Sequence, residues 1–167
     1  IYNHLVALKH AVSKAWANID VLLKQRHDEL PKLVETCKRY MQYEQETLDR
    51  VISARQAVDQ ARGRHDVRAL GGAEQALRSG LGNLFALAED YPELMANQGF
   101  QHLRQRVSEL EDSIADRREY YNETVNNNNV RIEQFPDLLL AKPLGFKAAA
   151  LLEFDAEHKA DPDLGQL

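Results

Sequence analysis

The side chains able to do chemistry in this chain are few and scattered. Six histidines stand at positions 4, 10, 27, 65, 102 and 158, and no two share a helical face at the spacing of three or four that lets paired imidazoles hold a metal. No glutamate is followed three residues later by a histidine, so the Glu-x-x-His element of di-iron bundles is missing. The single cysteine, Cys37, has no histidine within a helical turn to activate it and stands on or beside an apolar stripe. It reads as a buried, inert thiol, and one cysteine excludes an internal disulfide framework or a Cys-rich zinc site. Gly80-Leu81-Gly82 follows a helical stretch and lacks the remaining Gly and the Lys-Ser/Thr ending of a phosphate loop, so close helix packing explains it better. Arg62, Arg64 and Arg68 are interrupted by Asp66 and carry no interleaved aromatics, the pattern of a solvated loop. No catalytic constellation assembles, and no cofactor or metal is implied.

Polar residues standing where a helix should be apolar are more informative. Arg117 and Asn128 do so late in the chain, Glu44 near residue 45, and Asp20, Arg26 and Asp28 cluster ahead of a proline. A charge inside a helix seam is costly unless it is paired. Asp20, Arg26, Asp28, Glu89, Arg118 and Tyr121 are therefore expected as a buried polar network across helices, the alternative being convergence on a solvent-reached cleft. Arg118 has the best claim to a fixed interhelical partner, with Asp20 or Glu89 as its carboxylate. Trp16 and Tyr91 read as packing residues.

The elements that position these groups are helices. A length of 167 residues makes one domain the default, and only five prolines and eight glycines leave few turns. Leu5, Leu8, Val12, Ala15, Ile19 and Leu22 repeat at intervals of three and four, which keeps one apolar stripe on one face from about residue 2 into the late twenties. Pro31 has no N–H to donate, and the stripe changes register there, so the helix is expected to kink or to break and restart. Gly63 and Gly71-Gly72 bracket the clearest loop, and a new stripe runs from about Ala73 through Leu77, Leu81, Leu84 and Ala88 to a stop at Pro92. Asn97 suits the N-cap of a last long helix that ends at Pro136. Alternating strand patterns are absent. The fold class expected is all-α, an elongated antiparallel four-helix bundle spanning residues 1–154, with a tail over 155–167.

Residues 137–154 hold many apolar groups without long periodicity. They are expected to pack back over the bundle, the alternative being an interaction surface formed by Leu138, Leu140, Phe146, Leu152 and Phe154. Acidic residues outnumber basic ones by 26 to 21, for a net charge of −5, so nucleic acid is a poor partner. No apolar run approaches the ~18 residues of a membrane span. The chain nevertheless starts at Ile1 with its helical pattern already running, which suggests an earlier beginning. The stripes serve equally well within one chain or between copies.

Several stretches taken together resemble the bacterial LemA family. They include Ile1-Tyr2-Asn3, Ala15 to Val21, Leu23 to Glu35 with its Leu30-Pro31, Tyr40 to Glu44 and Ala54-Arg55. Leu87 to Leu94, Asn97 to Phe100, Arg118 with Tyr121-Asn122, Phe135-Pro136 and Gly145-Phe146-Lys147 continue the match in the same order. The resemblance implies a helical bundle behind a single transmembrane helix placed immediately before Ile1, at the bacterial inner membrane with the soluble part cytoplasmic. The family has no agreed enzymatic activity, and a part in building or remodelling membranes is attributed to magnetosome relatives. The function expected is a non-enzymatic, membrane-tethered scaffold acting through protein partners, membrane proteins among them. A membrane-binding or membrane-remodelling module is the alternative, and an enzyme or metal protein the third class.

Overall fold

A computed structural model describes residues 2–133 and 148–152. They form an all-α bundle of four long helices and one short one: α1 Tyr2–Lys38, α2 Gln45–Gly63, α3 Val67–Ala88, the single turn α4 Pro92–Met95, and α5 Gln98–Glu133. No strand occurs among the described residues. The helices pair antiparallel. α5 returns along α1, bringing Arg106 to Glu29, Glu111 to Arg26 and Tyr121 to Trp16. α2 returns along the same part of α1 through Arg55 to His27 and Arg62 to Asp20, and α3 folds back on α2 with Gly80 against Val51.

At 1.5 Å per residue α1 and α5 are each roughly 55 Å long, against about 30 Å for α2 and α3. The α2–α3 pair therefore covers only part of the α1–α5 pair, and the rest projects as a two-helix arm. The stripes supply the common core: Ile19, Leu23, Leu30 and Leu33 from α1, Val51 and Val58 from α2, Leu70, Leu77 and Leu84 from α3, and Phe100, Val107 and Val125 from α5 are all buried. Each such side chain contributes about 1.5–3 kcal/mol by leaving water, which outweighs the modest helical propensity of any one segment.

Pro31 does not break α1, which is helical through Lys38. A proline at this place withholds the N–H that would bond the carbonyl four residues earlier, that of His27. Arg55 of α2 supplies the missing donor, its Nε reaching the His27 oxygen at 2.8 Å while Nη2 meets His27 Nε2 at 3.0 Å. The break lies instead at residues 39–44, where the stripe weakens and the chain turns over a buried Met41.

The expected glycine-bracketed loop is shorter than its glycines suggested. Only residues 64–66 leave the helix, and Gly71 and Gly72 lie inside α3. Asp66 caps α3 by accepting the Ala69 N–H at 3.1 Å, and burial of Val67 and Leu70 pulls the first turn onto the core. His65 takes a left-handed conformation, φ 53°, and its ring stacks on Trp16 with centroids 4.0 Å apart. Asn97 caps α5 as its type predicts, accepting from Phe100 N at 2.9 Å.

Residues 148–152 pack back on the bundle along α5. Asn129 bonds both the N–H and the carbonyl of Ala149, and Asn122 does the same for Leu152. The two asparagines are seven positions apart, ~10.5 Å along a helix, which matches three residues of extended chain. The strap runs antiparallel to α5.

Candidate functional site

The main polar site is a cluster inside the seam of α1, α3 and α5. Arg26 follows Ile19 and Leu23 on the buried stripe of α1, so its guanidinium enters the core and is 1% exposed. Glu74 stands between Leu70 and Leu77 on α3, and Glu111 between Val107 and Ile114 on α5, each at the interval an apolar residue would occupy. Both are buried. Arg26 Nη1 donates to Glu74 Oε2 at 3.0 Å and to Glu111 Oε1 at 2.7 Å, and Nη2 donates to Glu74 Oε1. Glu74 thus takes the two-pronged contact that suits a guanidinium, and Glu111 shares one nitrogen.

One cation faces two carboxylates. Burial opposes the charge on Arg26, but Glu74 and Glu111 outweigh it and hold the guanidinium ionised. Burial raises the Glu111 carboxyl above the usual range, Arg26 offsets part of this, and the neighbouring Glu74 charge adds to it. Arg78 acts on Glu111 in the same direction as Arg26. Arg118 is half-buried near this cluster, its pKa drawn down first by burial and then by Arg78, with Glu119 and Glu74 acting the other way.

The six residues expected to form one network are divided among several. Arg26 is its buried centre, but its partners are Glu74 and Glu111. Asp20 bonds Arg62 at 3.1 Å, and Arg62 also holds Asp59 at 2.9 Å. Glu89 lies 3.5 Å from Arg104. Asp28 is exposed. Tyr121 is buried, meets Trp16 edge-on, and donates its hydroxyl to the Ala150 carbonyl at 3.2 Å. Of the other stripe positions, Asn128 is buried, Arg117 is exposed, and Glu44 accepts from the Tyr91 hydroxyl at 3.1 Å.

Cys37 is buried, and burial pushes its thiol up to about 12. Among the described residues no group of three or more His, Cys, Asp or Glu is arranged to hold a metal ion. Of the apolar group considered as an interaction surface, Leu152 is buried rather than presented outward, because Asn122 fixes its backbone against α5. Leu138, Leu140, Phe146 and Phe154 lie outside the described residues. No helix among the described residues is long and apolar enough to cross a membrane.

The model of the LemA family matches residues 15–165. The chain belongs to the LemA family. Among curated relatives, magnetosome protein MamQ 2 of Paramagnetospirillum magneticum is 38% identical over 82 residues, which are 49% of this LemA chain and 30% of that protein. Magnetosome protein MamQ of Magnetospirillum gryphiswaldense is 35% identical over 80 residues, 48% of this chain and 29% of the relative. The LemA chain thus spans less than a third of the length of the curated relatives it matches. The conspicuous charges in its seam join helices, and the strap adds backbone contacts along the arm.

Proposed function

We propose that this LemA domain is a non-enzymatic scaffold, tethered at the bacterial inner membrane, that works by holding protein partners. The observation that carries the reading is the use made of Arg26, Glu74 and Glu111. They are sealed in the seam and bond one another, with Arg26 Nε left without a hydrogen-bond partner, so this buried constellation fixes the register of three helices. What remains outward is a long rod on which Val21 and Tyr120 line one shallow depression and Tyr43 stands exposed beyond the end of α1. Membership of the LemA family and likeness to proteins named for the magnetosome favour a membrane setting.

The test is photo-crosslinking from Val21, Tyr43 and Tyr120 in the intact protein in its own cells. Discrete protein adducts recovered from the membrane fraction are the expected result. Adducts to lipid alone would overturn the scaffold reading in favour of a membrane-shaping module, and a protein found only outside the membrane fraction would overturn the tether.

A further inference from the structure

The strap and the face of α5 beneath it form a site that reads peptide backbone. Asn129 donates Nδ2 to the Ala149 carbonyl at 2.9 Å and accepts the Ala149 N–H at 2.8 Å. Asn122 repeats both bonds on Leu152, each at 2.8 Å, and Tyr121 donates to the carbonyl of Ala150 between them. An amide side chain that presents one donor and one acceptor to one residue behaves as the edge of a strand does, and asparagines spaced seven apart on a helix repeat the edge at the pitch of extended chain. None of these five bonds depends on the identity of the bound side chains. The side-chain requirement falls on Leu152, which is buried, and on Ala149 and Leu151, which pack partly covered against the core, while Ala148 and Ala150 are exposed.

A depression of about 420 Å³ lies alongside this seat, lined by Ala149, Ala150, Leu151, Asn129 and Arg68. Arg68 is exposed on the first turn of α3, so the depression has a cationic wall facing alanines that offer it no charge.

We propose that the seat is a binding site for an extended acidic segment of another polypeptide, of pattern small–acidic–apolar–leucine, which replaces the chain's own residues 149–152. Asn129 clamps the small residue, the acidic side chain enters the depression beside Arg68, and the leucine takes the pocket of Leu152 with Asn122 on its backbone. Held by five hydrogen bonds, the buried Leu152 and the partly covered Ala149 and Leu151, the native strap is exchangeable, and a ligand that makes the same contacts and also pairs with Arg68 displaces it when supplied in excess. The inference rests on the scaffold reading and supplies the chemistry of a partner.

The probes are two labelled heptapeptides, Lys-Ala-Ala-Ala-Leu-Leu-Glu, which copies residues 147–153, and the same peptide carrying Ala150→Glu. Each is titrated by fluorescence anisotropy into the full chain and into its Leu152→Asp variant, whose own strap cannot be buried. The glutamate peptide is expected to bind the variant about two- to fivefold more tightly than the native-sequence peptide does, the gain that one exposed ion pair confers. Adding Arg68→Ala should erase that advantage, and adding Asn122→Ala with Asn129→Ala should abolish binding of both peptides. In the unaltered chain, excess glutamate peptide should speed hydrogen exchange at the Ala149 and Leu152 amides, a measurement that stands whether or not the Leu152 variant folds. Exchange unchanged by peptide, or binding indifferent to the two asparagines, would overturn the proposal. Because the ligand is synthetic, that failure would remove this seat while leaving the crosslinking result to decide the scaffold reading.

Discussion

Arg55 bonds the carbonyl of His27 at 2.8 Å, the oxygen that Pro31 leaves without its helical donor. A side chain of α2 thus replaces a backbone bond of α1, and the proline's interruption becomes a contact between helices. Arg55→Leu should cost about 1.5–3 kcal/mol, since a partly buried acceptor loses a charged donor. Pro31→Ala restores an N–H at the right place, so the double variant should be less destabilised than the sum of the two effects. Urea denaturation of the four proteins gives the coupling, expected at about 1 kcal/mol or more. Additive effects would show that Arg55 does not compensate for Pro31.

Arg26→Met should be the most damaging single change in the polar seam. It leaves Glu74 and Glu111 buried together without the cation that bonds them both, at a cost of about 3–5 kcal/mol. Replacing all three by Met, Leu and Leu removes the uncompensated charge and should recover most of that loss. A loss below about 1 kcal/mol for Arg26→Met in equilibrium unfolding would mean that water reaches the carboxylates.

The pH dependence of this cluster has a definite sign. Glu111 titrates above its ordinary 4.5 in the folded chain because burial, and then Glu74, oppose its charge. Between 4.5 and the raised value the native carboxyl keeps a proton that the unfolded chain has released, so this group's contribution to stability falls as pH rises. Glu111→Gln removes the titration but keeps an acceptor for Arg26. The stability of Glu111→Gln relative to the parent should therefore grow from pH 4.5 toward neutrality; a difference that is flat or shrinks would contradict the raised carboxyl.

Cys37 should be silent toward alkylating reagents in the native state. Its thiol is buried and titrates at about 12, so thiolate is scarce at pH 8 and has no access to solvent. Iodoacetamide labelling followed by mass spectrometry should track global unfolding as urea is raised, and labelling well before the unfolding transition would show a local opening around the end of α1.

Much of the architecture was legible because long helices announce themselves by their stripes. Ile19 and Leu22, Leu77 and Leu84, and Phe100 and Val107 fall at intervals that one helix face requires, and Asn97 has the side chain that a cap needs. Pro31 left a kink and a break equally open because its effect depends on a residue of another helix, and the place of Arg55 is a property of packing. Gly71 and Gly72 misled for a related reason, since the burial of Val67 and Leu70 outweighs a propensity cost of about 1 kcal/mol per glycine.

The polar site was half legible. Arg26 stood out as a charge on a buried stripe, and the same signal was available at Glu74, midway between Leu70 and Leu77, and at Glu111, between Val107 and Ile114. Assigning partners needed the relative heights of three helices, which turn geometry sets. Asn122 and Asn129 gave no signal, because asparagines on a helix look like a polar face until a second strand of chain is laid against them.

The unbroken passage of α1 through Pro31 makes the molecule a lever. A rod of roughly 55 Å carries Tyr43, 90% exposed just beyond its end, so that each degree of tilt at the Tyr2 end sweeps the far tip through on the order of 1 Å. Small changes of angle at one end are thereby converted into distances comparable with a side-chain contact at the other, past a proline whose freed carbonyl acceptor is held by the guanidinium of Arg55.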